Sequence, residues 1–169
     1  MKKLSIKEQV YLALMAGVYV ALTLGTPVIS MAYGAIQFRI SEFLNHLLIY
    51  NKKYIISLGI GVAIVNSFST FGIYDVIFGT GATLLCSVLS IAAFKFIKSK
   101  LGRFIFNTLN FSFVGMIPIT FLIIYIGQAE EVFFTLYGPL VLSELIIMTA
   151  SGILLYTLDK KIDLKKYIG

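Results

Sequence analysis

The residues of this sequence that could do chemistry are charged or amide side chains in apolar surroundings. A charge inside a membrane-spanning helix costs at least about 2.5–3.5 kcal/mol on insertion scales, so such a residue needs a partner or a ligand. Five residues fit this description: Arg39, Glu42, Asn66, Asp75 and Glu144. Their guanidinium, carboxylate and amide groups predict hydrogen bonding to a small polar molecule.

Three of the polar residues near position 40 have helical spacing. Glu42 lies three residues after Arg39 and His46 seven residues after it, which puts all three on one face of an α-helix. One interpretation is a buried Arg39–Glu42 ion pair that locks helix packing, and this does not exclude contact with a ligand. His46 is better explained as a hydrogen-bonded interior residue than as a metal ligand.

A structural role explains one of two further acidic residues but not the other. Asp75 begins an apolar stretch, where Asp commonly caps a helix. Glu144 lies within an apolar stretch, flanked by Leu142 and Leu145, so its carboxylate must face a cavity or a partner. We therefore expect a functional role for Glu144.

The composition indicates that membrane-spanning helices carry these residues. The chain of 169 residues is 59% hydrophobic and 13% charged, with a mean hydropathy of +0.93, whereas soluble domains carry about 25% charged residues. This length predicts a single membrane-embedded domain, 1–169, without a soluble catalytic or nucleotide-binding domain. The formal charge of +6 is spread over several connections, which argues against nucleic-acid binding.

Apolar runs separated by polar clusters predict a compact all-α bundle of six transmembrane helices. The helices are expected near 10–31, 36–50, 54–71, 74–98, 104–126 and 132–158. With six crossings, every Lys and Arg except Arg39 falls on one side of the membrane. The positive-inside rule makes that side cytoplasmic and places both termini there.

This arrangement brings the five polar residues to a similar depth in the outer half of the membrane. They therefore predict one outward-facing pocket, with one positive and three negative charges. Such a balance favours a ligand that carries a cation or many N–H donors.

Small residues predict close contacts between helices. Ala13, Gly17 and Ala21 are spaced four apart and form a smooth stripe on the first helix. Their spacing leaves open whether the stripe meets another helix of this chain or another protein. A second set is interpreted as packing sites within the bundle: Gly59, Gly61, Gly79 and Gly81.

Two runs of the sequence resemble the QueT family. They are GAIQFRISE, from Gly34 to Glu42, and DVIFGTGAT, from Asp75 to Thr83. Members of that family are substrate-binding (S) components of energy-coupling factor (ECF) transporters, bacterial importers assigned to queuosine precursors of the 7-deazaguanine type. The resemblance extends over nearly the whole chain in length, helix layout and order of motifs. The pair Asn45-His46 departs from the small or apolar residues expected there, and so does Ser143, where Gly is expected.

The resemblance implies a function and a set of partners. A precursor such as 7-aminomethyl-7-deazaguanine would be captured from outside the bacterial cell membrane. A transmembrane coupling subunit would dock on the stripe Ala13, Gly17 and Ala21, and two ATPase subunits would supply the energy. The residues implied in substrate binding are Gln37, Arg39, Glu42, Asp75 and, more loosely, Glu144.

Three alternatives remain open. The substrate could be another vitamin-like or nucleobase-like micronutrient. A stand-alone proton-coupled carrier with Glu144 as its proton site is disfavoured because no internal repeat is evident. An intramembrane enzyme using Glu144 and Glu42 is disfavoured because the single His46 and the single Cys86 suggest no nucleophile–base pair or metal set. We therefore expect no catalytic residues, no metal and no cofactor.

Overall fold

Helices make up most of the part of the chain that the structure describes. The structure is a computed structural model that describes residues 4–25, 39–127 and 132–168. Its elements are α1 (Ile6–Leu24), a 3-10 helix (Ile40–Ile49), α2 (Tyr54–Asn66), α3 (Ile73–Ala93), α4 (Lys100–Leu109), a π-helical turn (Asn110–Val114), α5 (Met116–Tyr125), α6 (Phe133–Ile162) and α7 (Leu164–Ile168). The described residues contain no strand, in agreement with the predicted all-α class.

Within the described ranges, three helices are long and apolar enough to cross a bilayer: Ile73–Ala93, Lys100–Tyr125 and Phe133–Ile162. The second of these combines α4, the π-helical turn and α5. The 3-10 helix and α2 have only 10 and 13 residues, or about 20 Å each at their usual rise per residue. Both helices are shorter than the predicted segments 36–50 and 54–71. Each is also shorter than the hydrocarbon core of a bilayer, which is about 30 Å thick.

Capping explains two differences from the predicted helix ends. α1 begins at Ile6, before residue 10, because Ser5 caps it and Glu8 completes a capping box with Ser5. α6 continues beyond residue 158 to Ile162, and stops where Asp163 adopts a left-handed conformation with φ of 43°. Hydrophobic periodicity reports the apolar stretch of a helix and misses such polar terminal turns.

The 3-10 helix lies at the centre of the fold. It contacts α1, α2, α3, α4 and α6, and eight of its ten residues are buried. Its polar side chains are therefore surrounded by protein, so a segment with several polar residues is accommodated among apolar helices.

A π-helical turn interrupts the long helix at its middle. Pro118 has no N–H and cannot donate to the carbonyl of Val114, four residues earlier, so a regular α-helix would leave that carbonyl without its usual partner. The widened turn immediately precedes this point. Gly115 fits there because a Cβ atom would collide with the carbonyl oxygen of Phe111.

The predicted glycine packing sites divide into two groups. A Cβ on Gly61 would stand 2.8 Å from the Cβ of Tyr19, and one on Gly79 would collide with the Asn66 amide, so both glycines permit close packing. The interpretation of Gly81 as a packing site is wrong, because a Cβ there would have no atom within 4 Å. Gly81 is exposed on the outer face of α3.

The stripe on α1 faces away from the rest of the described chain. Ala13, Gly17 and Ala21 are all exposed, and a Cβ on Gly17 would have no atom within 4 Å. The opposite face of α1 carries Tyr19 and Thr23, both buried. The spacing left open whether the stripe packs on this chain or on another protein. Among the described residues, no helix of this chain packs on it.

Candidate functional site

The 3-10 helix changes which polar residues share a face. With three residues per turn, Glu42 and Asn45 lie one above the other, whereas His46 is rotated by about 120°. The prediction that Arg39, Glu42 and His46 share a face assumed an α-helix and is wrong for His46. The ring of His46 instead lies 2.9 Å, through Nε2, from the carbonyl oxygen of Met148 and 3.2 Å, through Nδ1, from the Asn107 amide nitrogen. It is a hydrogen-bonded interior residue, as expected.

Glu42 is held in place by two neighbouring side chains. The Tyr19 hydroxyl on α1 donates to Oε1 of Glu42 at 2.6 Å, and the Asn45 amide donates to Oε2. Each carboxylate oxygen has two lone-pair sites, so Glu42 retains acceptor capacity for a ligand. The role of Tyr19 was missed from the sequence, where only its place on the face of α1 opposite the stripe could have indicated it.

Arg39 connects the 3-10 helix to α2 and α3. Its Nη1 donates to Oδ1 of Asn66 at 3.1 Å, and the amide nitrogen of Asn66 donates to the backbone carbonyl of Asp75, also at 3.1 Å. All three residues are buried. The guanidinium group is thus oriented by an amide that is itself anchored at the start of α3. A direct Arg39–Glu42 ion pair stays a prediction.

A small cavity of about 30 Å³ lies where these elements meet α6. Its charged lining residues are Arg39, Glu42 and Glu144. The remaining lining residues come from α3, the π-helical turn, α5 and Gly115 between them: Gly79, Ala82, Thr83, Phe111, Gly115, Met116 and Ile119. The structure thus brings together residues separated by more than 100 positions in the sequence.

The other predicted site residues lie around this cavity or outside the described ranges. Asn66 and Asp75 do not line the cavity, and they reach it through Arg39. The lining therefore carries one basic and two acidic residues, where the prediction had three acidic ones. Gln37 lies outside the described residues. The apolar and small lining residues carry no charge or motif that would have marked them in advance, except Gly79, Ala82 and Thr83 within the DVIFGTGAT run.

Glu144 has an unused acceptor in this cavity. Its side chain is 4% exposed, and Oε1 has no hydrogen-bond partner within the described part of the chain. Buried polar atoms are hydrogen-bonded in more than about 90% of cases, because an unsatisfied buried acceptor costs about 1–3 kcal/mol or more. An N–H group of a bound molecule would satisfy it.

We expect Gly79→Ala to disturb the site from its periphery. The added methyl group would collide with the Asn66 amide and push it from Arg39. Loss of one hydrogen bond to a charged group should lower ligand affinity about tenfold, as measured by titration of the purified protein. Gly81→Ala is the matched control on α3, because its methyl group meets no atom within 4 Å. An equal loss of affinity in both variants would contradict this arrangement.

Comparison with known proteins relates the chain to transporters. Residues 10–161 match the family model described as "QueT transporter". The chain is 33% identical over 172 residues to the "Queuosine precursor transporter QueT" of Lactococcus lactis subsp. cremoris (strain MG1363). The alignment covers 98% of this chain and 100% of that protein. No solved structure matches. Together with three helices long and apolar enough to span a bilayer, these matches show that the chain is a membrane protein that belongs to the QueT transporter family.

Proposed function

We propose that this protein is the substrate-capture (S) component of an ECF importer and binds a queuosine precursor of the 7-deazaguanine type. The observation that carries the proposal is the buried Oε1 of Glu144, which has no hydrogen-bond partner among the described residues and lies in a cavity that Glu42 and Arg39 also line. The name of the Lactococcus lactis relative supports the choice of ligand.

The chemistry of a 7-deazaguanine suits these three side chains. Its pyrimidine ring presents ring N–H and amino donors, and 7-aminomethyl-7-deazaguanine adds an ammonium group. Glu144 and Glu42 would accept hydrogen bonds from these donors. Such hydrogen bonds are stronger when one partner is charged. Arg39 would donate to the ring carbonyl oxygen. Gln37 and Asp75 remain predicted contacts from the resemblance.

Binding of a two-ring molecule requires the cavity to open. Ligand pockets generally enclose about 300 Å³ or more, whereas this cavity has about 30 Å³. Met116 and Ile119 line it from α5, and a methionine side chain adapts readily to a changing space. We infer that the structure represents a closed, contracted site, and that α5 moves relative to α6 when substrate enters.

The membrane arrangement in this proposal has six crossings in the bacterial cell membrane, with both termini cytoplasmic. It is supported by the placement of every Lys and Arg except Arg39 on one side. The exposed connections at either end of α3 offer a direct test of it.

We expect a cysteine at Thr70 to react with a membrane-impermeant maleimide added to intact cells, and a cysteine at Lys98 to react only after the cells are opened. Both positions are exposed, on opposite ends of α3. A Cys86→Ala background removes the native thiol, which is buried. Labelling of Lys98→Cys from outside would exclude the six-crossing arrangement.

The proposed partners are a transmembrane coupling subunit and two ATPase subunits. The exposed stripe Ala13, Gly17 and Ala21 supports a docking face on α1, since small residues allow a partner helix to approach closely. Uptake of radiolabelled precursor by cells that express this chain alone, and then with the three partners, tests the proposal. Uptake only with the partners supports an S component, whereas full uptake by the chain alone would show a stand-alone carrier.

A further inference from the structure

A second cavity, of about 300 Å³, lies at the opposite end of the 3-10 helix from Arg39. Three basic residues from three parts of the fold line it: Lys52 after the 3-10 helix, Lys95 after α3, and Arg103 in α4. The other lining residues are aliphatic or aromatic: Leu48, Ile49, Tyr50, Ile91 and Phe94. A carboxylate is absent from this lining, so the cavity has a positive charge with partly apolar walls.

The positive charge of this cavity is not balanced within the described chain. Nearby Lys53 and Lys100 are each paired with a carboxylate, of Glu8 and Asp159 respectively. Lys52 and Lys95 form no ion pair with any carboxylate in the described ranges. The neutralised lysines thus lie outside the cavity and the unneutralised ones line it.

Arg103 is held rigidly at the cavity. Its Nε donates to the carbonyl oxygen of Ile97 at 2.8 Å, and its Nη2 donates to that of Phe94 at 2.9 Å. These bonds use two of the five N–H donors of the guanidinium group. The group also lies 5.5 Å from the centroid of the Phe94 ring. Its remaining donors are therefore preorganised for an anion.

Tyr50 supplies an independent indication of a ligand. It lines the cavity and is 8% exposed, and its hydroxyl is buried without a hydrogen-bond partner among the described residues. A buried hydroxyl normally has a partner. An anionic oxygen in the cavity would accept a hydrogen bond from this hydroxyl and would also neutralise the lysines.

We propose that this cavity binds a phosphate group, and that its source is the headgroup of an anionic phospholipid in the leaflet at this end of the protein. Basic pockets between transmembrane helices commonly hold such headgroups. The aliphatic walls suit the glycerol and the first acyl carbons of a lipid. This site is separate from the cavity at Glu144 and does not depend on which substrate is transported.

Native mass spectrometry of the full-length protein in detergent tests the proposal, with dioctanoyl phosphatidylglycerol, dioctanoyl phosphatidylcholine or inorganic phosphate added. We expect phosphatidylglycerol to bind at least tenfold more tightly than phosphatidylcholine, whose phosphate carries a compensating cation. Equal retention of inorganic phosphate and phosphatidylglycerol would show the same phosphate site with a soluble anion as its source. Equal retention of the two lipids, without retention of phosphate, would overturn the proposal.

Variants separate this cavity from a general basic surface. The double change Lys52→Gln with Lys95→Gln should weaken phosphatidylglycerol binding at least tenfold, and Tyr50→Phe should weaken it without lowering the melting temperature. Lys160→Gln with Lys161→Gln removes the same charge from the exposed last turn of α6, outside the cavity, and should leave binding unchanged. Unchanged binding in the first pair, together with lost assembly with a coupling subunit, would make this a protein-docking surface and overturn the proposal.

Discussion

Replacement of Glu144 by Gln is expected to lower the affinity for a 7-deazaguanine by roughly ten- to a hundredfold. Glutamine keeps the size and polarity of the side chain but removes the charged acceptor at Oε1, which has no partner within the described chain. A hydrogen bond to a charged group contributes about 1.5–3 kcal/mol, which corresponds to that range. Calorimetric titration of the purified variant measures the effect directly.

Ser151→Ala is the control for this variant. Ser151 is buried on the same helix and donates to the carbonyl of Met148, and it does not line the cavity. Its replacement should leave affinity unchanged. If Glu144→Gln also binds with unchanged affinity, Glu144 is not a ligand contact and the cavity is not the substrate site.

Replacement of Gly17 by Leu is expected to abolish uptake while ligand binding by the purified chain stays intact. Gly17 is exposed and a Cβ there would have no atom within 4 Å, so the fold of this chain accepts a larger residue. A coupling subunit that packs closely on the stripe would be pushed away by the leucine side chain. Uptake by the assembled transporter and titration of the isolated chain provide the two measurements.

Gly81→Leu adds the same bulk to an exposed glycine of α3 that also has no atom within 4 Å of a built Cβ. Uptake by this control should be close to that of the unmodified protein. A loss of ligand binding in Gly17→Leu that matches its loss of uptake would show that the stripe packs within this chain, and would contradict the docking role.

Much of the site could be predicted from the cost of burying charge. Arg39, Glu42 and Glu144 stand in apolar stretches, and this cost together with their similar depth in the predicted helices indicated one pocket; the structure places all three around one cavity. Asn66 and Asp75 were predicted at the same depth but do not line the cavity: Asn66 accepts a hydrogen bond from Arg39 and donates to the backbone carbonyl of Asp75. The difference between lining a cavity and supporting its lining depends on three-dimensional packing and leaves no mark in hydropathy.

The helix type near residue 40 could not be predicted from the sequence. Periods of 3.0 and 3.6 residues both place Arg39 near Glu42 and diverge only at His46, so a segment of 10 residues barely distinguishes them. Tyr19 was missed for a related reason, since an aromatic residue in an apolar helix gives no sign that its hydroxyl meets a carboxylate.

The most direct test of the central claim is a calorimetric titration of the purified protein with 7-aminomethyl-7-deazaguanine and, separately, with adenine. Adenine presents a different donor and acceptor pattern on its pyrimidine edge, so Glu144 and Arg39 would face mismatched groups. The account predicts saturable one-to-one binding of the 7-deazaguanine and at least a hundredfold weaker binding of adenine. Absence of 7-deazaguanine binding, or equal affinity for the two compounds, would contradict it.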